Sequence, residues 1–264
     1  MYDHRRYIIL PWKFLQLISE LRRARYDLVF DTKDVLSFNN ALLSVMSGGA
    51  KIVGYGYEGG SAVHDIEVEM PPDDMYEPRR HLQLLNIVSG GKSDHDDMEV
   101  FLSQSEIDSG IGMVKGFGLL PGEFVGIHCG GRGRKEYGVR RFFAIARELY
   151  ERQRLKTLFI YGPDEAEEAR DLGAAAGITM ASPSDIRQLA SLINQCKVFL
   201  GGDTGALHIA AALGKPTISL FIGSNRARYA PKGAQHIVYD KLDVPPGEEE
   251  VAHMITGILS TVDQ

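Results

Sequence analysis

Short apolar runs alternate with segments of helical periodicity along most of the chain. Examples are "EFVGIHCG" followed by "VRRFFAIARELYERQ", and "KTLFIYG" followed by "DEAEEARDLGAAAG". Apolar runs bounded by glycine or polar residues indicate buried strands, and apolar residues spaced three and four apart indicate helices. Strands that alternate with helices are joined by right-handed crossovers, so the pattern predicts an α/β fold with parallel sheets.

The strand–helix units fall into two groups. The glycine-rich stretch "QSEIDSGIGMVKGFGLLPGE" precedes a new strand, so we expect a domain boundary near residue 118. Residues 119–264 then form a complete doubly wound domain. Residues 1–118 contain only a few clear strands, and this N-terminal domain looks truncated.

Charge and cysteine content exclude several classes of protein. The net charge of the 264 residues is −6, which argues against a general nucleic-acid-binding protein. The two cysteines, Cys129 and Cys196, form neither a zinc motif nor a disulfide framework, and we expect no metal and no cofactor. Because we also find no signal peptide and no membrane-length apolar run, we expect a cytoplasmic protein. Cys129 follows His128 on a predicted strand and is interpreted as a core residue.

The segment "GGDTGALHIAAALGKPTISLF" has more polar residues at a strand end than a fold requires. Asp203, Thr204 and Gly205 lie where a strand ends and a helix begins, and His208 shares a helix face with Thr204. The first turn of a helix offers unpaired N–H groups and a positive dipole end. The pattern predicts a phosphate or diphosphate site. The alternative is a simple helix cap with a hydrogen-bonded, half-buried histidine.

A second segment, "IHCGGRGRKEYG", also follows a predicted strand. Gly130 and Gly131 allow the backbone to approach a ligand closely, and Arg132, Arg134 and Lys135 bring cations into an acidic protein. This combination is typical of a site for anionic oxygens. The alternative is a solvated basic loop.

A third candidate is Glu165, in "YGPDEAEE", which follows another predicted strand. A carboxylate at the carboxyl end of a parallel strand can accept hydrogen bonds from ribose hydroxyls. The alternative is an acidic first turn of a helix, which the helix dipole favours.

In this order, these segments resemble the ADP-heptose:lipopolysaccharide heptosyltransferases, glycosyltransferase family 9. The segment containing Asp203 and His208 is similar to the family signature D-[TS]-G-x-x-H-x-x-A-A-x-x-x-P. The second segment resembles a His-x-x-x-Arg-x-x-Lys-x-Trp motif, with Tyr137 in place of the tryptophan, and the third resembles a Gly-x-x-x-Glu turn. The resemblance covers most of the chain.

The resemblance implies a GT-B fold, in which two Rossmann-like domains face a cleft and the C-terminal domain holds the nucleotide sugar. It implies that the Gly130–Gly131 backbone and Lys135 contact the diphosphate, and that Arg132 belongs to the same site. It also implies that Glu165 holds the ribose and that the Pro183–Ser184 loop borders the adenine. The diphosphate and sugar are then held by Asp203, Thr204, Gly205 and His208.

The implied activity is the transfer, with inversion, of a heptose or similar sugar from an ADP-sugar to a lipopolysaccharide core or related glycan, without a metal ion. An acceptor of this kind leaves open a peripheral contact with the cytoplasmic face of the inner membrane. The oligomeric state is left open as well.

The N-terminal half departs from the family pattern. Family members begin with a strand and a glycine-rich turn that carries an aspartate, the base for the acceptor's proton, and nothing here corresponds to it. Asp31 and Asp34 are weak candidates for a replacement base. We therefore expect either an enzyme whose full sequence is longer, or a shortened relative that binds a nucleotide sugar without transferring it. A UDP-sugar transferase of the same architecture is a further alternative.

Overall fold

We analysed a computed structural model that describes residues 11–35, 37–57, 62–131, 137–173, 175–239 and 245–262. The chain divides into two compact units, Met1–Asp96 and Asp97–Gln264. Each unit contains one parallel sheet. The prediction of an α/β fold with parallel sheets is therefore confirmed.

The first unit has a three-stranded sheet of order β1-β2-β3. Its strands are β1 (Leu28–Asp31), β2 (Lys51–Tyr55) and β3 (Ile66–Val68). Its described helices are α1 (Pro11–Ala24), α2 (Phe38–Ser47) and α3 (Glu77–Ser89). As the "SGG" sequence predicts, α2 ends at Gly48, which adopts a left-handed conformation with φ of 72°.

The interior of this unit contains a buried arginine as well as an apolar cluster that includes Val53 and Leu84. Arg80 is 1% exposed, and its guanidinium donates to the Asp34 carboxylate at 2.9 Å and to the Pro72 carbonyl at 2.7 Å. The Tyr55 hydroxyl donates to the Arg80 backbone carbonyl. A buried cation is stable only when it is paired in this way, so Asp34 has a structural role.

The second unit has a six-stranded parallel sheet of order β6-β5-β4-β7-β8-β9. Its strands are β4 (Phe124–His128), β5 (Lys156–Ile160), β6 (Ile178–Ala181), β7 (Val198–Gly202), β8 (Thr217–Leu220) and β9 (His236–Tyr239). Its described helices are α4 (Gln104–Gly116), α5 (Val139–Gln153), α6 (Ala166–Leu172), α7 (Ile186–Ile193), α8 (Gly205–Ala212), α9 (Arg226–Tyr229) and α10 (Glu248–Val262).

Helices cover both faces of this sheet. On one face, Phe142 and Leu149 of α5 and Ile255 of α10 pack against strand residues such as Ile127. On the other face, α4, α7 and α8 pack against residues that include Phe199. Two buried layers around a parallel sheet make a doubly wound domain, as predicted.

The stretch expected to be a domain boundary is instead a helix of the second unit. Helix α4 begins with a capping box, in which the Ser103 hydroxyl accepts from the Glu106 amide and the Glu106 carboxylate accepts from the Ser103 amide. Gly110 lies against the Ser191 carbonyl of α7, so its missing side chain allows close helix packing. The compact units consequently divide between Asp96 and Asp97, ahead of the expected boundary near residue 118.

Candidate functional site

The two segments that sequence analysis selected lie at the centre of the second sheet. The chain runs from β4 outward through β5 to β6, then returns to β7 beside β4 and continues to β8 and β9. His128, the last residue of β4, is in register with Gly201 of β7. The loops after these strands therefore lie side by side at the topological switch point, where open parallel sheets bind ligands.

Helix α8 begins in this place without a side-chain cap. Thr204 occupies the N-cap position in an extended conformation, but its side chain accepts no hydrogen bond from the first turn. Its hydroxyl is buried and has no hydrogen-bond partner among the described residues. A Cβ added at Gly205 would meet no atom of the described residues within 4 Å, so there is open space beside this first helical residue. The alternative in which Thr204 caps the helix does not hold.

Asp203 and His208 are brought together as the spacing predicts. The His208 Nε2 atom lies 3.4 Å from Asp203 Oδ1, and the Asp203 side chain is 5% exposed. The other ring nitrogen of His208, Nδ1, is buried without a hydrogen-bond partner in the described part of the chain. Because only one of its two nitrogens is engaged, His208 differs from the fully hydrogen-bonded histidine of the alternative.

The loop after β4 is shaped by a neutral histidine. The Gly130 amide donates to His128 Nδ1 at 3.3 Å, and a Cβ at Gly130 would collide with that imidazole ring. Burial lowers the pKa of His128 to about 4, so the ring is neutral at pH 7 and its Nδ1 can accept this bond. The Gly130 amide is thus engaged within the protein, and Gly131 is the next residue along the loop. Residues 132–136, which include Arg132, Arg134 and Lys135, lie outside the described residues.

Two further predicted residues follow the neighbouring strands β5 and β6. Glu165 is half-buried, and its Oε2 atom accepts from the Gly162 amide at 3.0 Å. Ser184 is exposed and donates its hydroxyl to Asp185 Oδ2 at 3.1 Å. Both lie on the carboxyl edge that carries the β4 and β7 loops. One carboxylate oxygen of Glu165 is therefore used in a hydrogen bond within its own turn.

The two candidate bases lie in the first unit, and each is close to a cationic or ionisable side chain. Asp31 ends β1; its Oδ1 accepts from the Lys33 amide at 3.2 Å, and its Oδ2 lies 3.6 Å from His64 Nε2. Asp34 is paired with Arg80. Desolvation, followed by the negative charges of Asp31 and Asp34, raises the pKa of nearby Tyr57.

Sequence reasoning missed His64 and Arg80, although one signal for His64 was available. Gly54 lies in the interior of β2, and a Cβ at that position would collide with the His64 ring. A glycine inside a strand often marks such a close approach. The carboxyl edge of the first sheet therefore carries a buried Asp31–His64 pair.

A further missed residue is Ser224, in the loop after β8. It is 7% exposed, and its hydroxyl has no hydrogen-bond partner among the described residues. Only its position after a strand could have indicated it. With Thr204 and His208, it is one of three residues on two neighbouring strand ends that each have an unpaired buried polar atom.

Cys129 is a core residue, as predicted. It is 2% exposed, its thiol donates to the Ile160 carbonyl, and burial raises its pKa to about 12. A protonated thiol is not a nucleophile. The described residues contain no group of three His, Cys, Asp or Glu side chains arranged to hold a metal. None of the described helices has the length and apolar character to cross a membrane.

The model of glycosyltransferase family 9 (heptosyltransferase) matches residues 14–251. The chain belongs to glycosyltransferase family 9. The resemblance inferred from the signature around Asp203 is therefore confirmed, and the chain is a glycosyltransferase. We found no match among curated proteins.

Solved structures of family 9 proteins share the fold. A family 9 glycosyltransferase from Veillonella parvula is 16% identical, with a TM-score of 0.75 over 93% of this chain and 77% of that one. E. coli ADP-heptose lps heptosyltransferase II is 17% identical, with a TM-score of 0.73 over 94% of this chain and 81% of that one. E. coli heptosyltransferase WaaC with ADP is 17% identical, with a TM-score of 0.74 over 97% of this chain and 82% of that one. The fold is thus the GT-B type of α/β fold.

Proposed function

We propose that this family 9 protein transfers a heptose from ADP-heptose to a lipopolysaccharide core or related glycan, with inversion at the anomeric carbon. The observation that carries the proposal is the start of α8, where the buried Thr204 hydroxyl is unpaired beside the Asp203–His208 pair at the β4/β7 switch point. Two similar proteins, E. coli ADP-heptose lps heptosyltransferase II and E. coli heptosyltransferase WaaC with ADP, support the choice of donor.

Each candidate residue has a role in this proposal. The diphosphate lies at the start of α8, where Thr204 and the first-turn amides donate to it and Asp203 orients His208. Gly131, in the loop after β4, contacts the same diphosphate, and we assign Lys135, four residues further along the sequence, to it as well. Glu165 accepts from the ribose through the carboxylate oxygen that its own turn does not use, and the loop at Ser184 borders the adenine.

The reaction is a single in-line displacement. An acceptor hydroxyl attacks the anomeric carbon, the bond from that carbon to the diphosphate oxygen breaks, and ADP leaves with the bonding electron pair. The growing negative charge on the diphosphate is stabilised by the positive end of α8 and by Lys135, which takes the place of a metal ion. The acceptor's proton passes to a base. We place this reaction at the cytoplasmic face of the inner membrane, where such an acceptor is a glycolipid.

A second candidate function is nucleotide-sugar binding without transfer. The pairing of Asp34 with Arg80 and the closeness of Asp31 to His64 favour it, because both candidate bases already interact within the protein. The two functions share the same donor site and differ only in turnover.

Calorimetry with ADP and UDP, followed by an assay of ADP release from ADP-heptose with heptose-free lipopolysaccharide, tests both candidates. We expect ADP to bind at least tenfold more tightly than UDP, and Lys135→Ala to weaken ADP binding at least tenfold. Acceptor-dependent ADP release supports the transferase, and ADP binding without release supports the binding protein. A chain that binds neither nucleotide contradicts both, and tighter binding of UDP assigns the site to a UDP-sugar.

A further inference from the structure

The loop after β8 contains a buried hydroxyl that the proposed diphosphate site does not use. Ser224 is 7% exposed, and its Oγ atom is enclosed without a hydrogen-bond partner among the described residues. By contrast, the buried Ser219 hydroxyl in the same segment donates to the Ile237 carbonyl at 3.2 Å. Buried hydroxyls in native proteins nearly always have a partner, so the unpaired Ser224 needs an explanation.

The position of Ser224 relates it to the site at the start of α8. Strands β7 and β8 are paired in parallel register, with Gly201 opposite Ser219 and Gly202 opposite Leu220. The loop with Asp203 and the loop with Ser224 therefore leave adjacent strands at the same edge. Thr204 in the first loop and His208 in the helix that follows it also have buried, unpaired polar atoms. In the described residues, the carboxyl edge therefore has unused hydrogen-bonding groups after both β7 and β8.

The order of the strands indicates how an extended ligand would lie along this edge of the sheet. From β5, which positions Glu165, the edge passes through β4 and β7 to β8. Neighbouring strands are about 4.8 Å apart, so β5 and β8 are separated by about 14 Å. This distance suits an extended nucleoside diphosphate sugar, with its ribose near β5 and its diphosphate at β4 and β7. The sugar then reaches β8.

We propose that Ser224 binds the sugar of the nucleotide sugar and not the nucleotide. This inference rests on the proposed function and adds to it a residue that selects between ADP and ADP-sugar. A serine hydroxyl both donates and accepts, which matches a sugar hydroxyl. Ser224 has three staggered χ1 rotamers, so its hydroxyl can change direction without a shift of the backbone.

The test compares two ligands on two variants of the full chain. The probe is ADP-2-deoxy-2-fluoro heptose, the ligand in one structure of E. coli heptosyltransferase WaaC, and ADP is the reference. We expect Ser224→Ala to weaken binding of the analogue at least fivefold and binding of ADP by less than twofold. Ser219→Ala is the matched control: it removes a buried serine hydroxyl from the same segment, and both affinities should stay within twofold of wild type.

Thermal melting accompanies the titrations. Because the Ser224 hydroxyl has no protein partner to lose, Ser224→Ala should melt close to wild type, whereas Ser219→Ala loses a hydrogen bond and should melt lower. Ser224→Cys, which is close in size but a weak hydrogen-bonding group, replaces the alanine variant if that variant does not fold.

Unchanged affinity for the analogue in Ser224→Ala overturns the inference, and so does an equal loss for both ligands, which would place Ser224 at the diphosphate. In either case the wild-type protein still binds ADP, so the proposed function stands. A wild-type protein that binds neither ligand refutes the proposed function, and the inference is then refuted with it.

Discussion

His128 shows how a single buried side chain shapes the loop after β4. Its imidazole lies under Gly130 and accepts the Gly130 amide, so a larger residue at position 130 would displace the ring. The bond requires a neutral ring, and burial keeps it neutral by lowering the pKa to about 4. The geometry of the loop therefore depends on the protonation state of His128.

This dependence predicts how stability changes with pH. In the unfolded chain His128 binds a proton below its usual pKa near 6.5, whereas in the folded chain its pKa is about 4. Between these two values the unfolded state binds more protons, so the free energy of unfolding falls as the pH drops from 6.5 to 4. At about 1.4 kcal/mol per unit of pKa, the loss between pH 7 and pH 4 is about 2–3 kcal/mol. Urea unfolding of wild type and His128→Gln across this range measures the difference. Parallel curves would count against a buried neutral histidine.

The candidate site could be predicted in part from single residues. Their spacing at one helix start made it possible to predict Asp203, Thr204 and His208 from the sequence. The unpaired state of the Thr204 and Ser224 hydroxyls could not be predicted, because it depends on which atoms the fold leaves without partners. The Asp31–His64 pair joins residues far apart in sequence, and only Gly54 indicates it.

At the scale of elements, α4 illustrates why glycine-rich sequence can mislead. Its glycines favour a linker, yet the Ser103–Glu106 capping box is the stronger local signal for a helix start. The strands at β4, β5 and β7 were predictable because each is a short apolar run that ends at glycine or polar residues. Helix α1 was not predicted.

The glycines of α4 are not equivalent, which gives a paired prediction. A Cβ at Gly110 would lie 2.5 Å from the Ser191 carbonyl oxygen, so Gly110→Ala should destabilise the protein by about 1–3 kcal/mol through overpacking. A Cβ at Gly112 meets no atom within 4 Å, so Gly112→Ala should stabilise it by about 0.5–1 kcal/mol through helix propensity. Chemical denaturation measures both. Changes of the same sign in the two variants would refute the packing of α4 on α7.

At the scale of the whole molecule, the second unit contains the six-stranded doubly wound sheet and, at its carboxyl edge, the candidate site. In its described residues, the first unit has three strands, with β1 at an edge of their sheet. From the sequence alone we predicted the domain boundary near residue 118, because the sequence does not show that α4 packs on α7. Packing between helices distant in sequence determines where a compact unit begins.

The central claim is that the start of α8 holds the diphosphate of ADP, and a calorimetric titration of ADP into wild type and Thr204→Val tests it most directly. The Thr204 hydroxyl has no partner among the described residues, so the nearly isosteric valine should melt close to wild type. A hydrogen bond to a charged phosphate contributes about 1.5–3 kcal/mol, so the affinity for ADP should fall roughly tenfold or more. Equal affinities of wild type and Thr204→Val for ADP would contradict the claim.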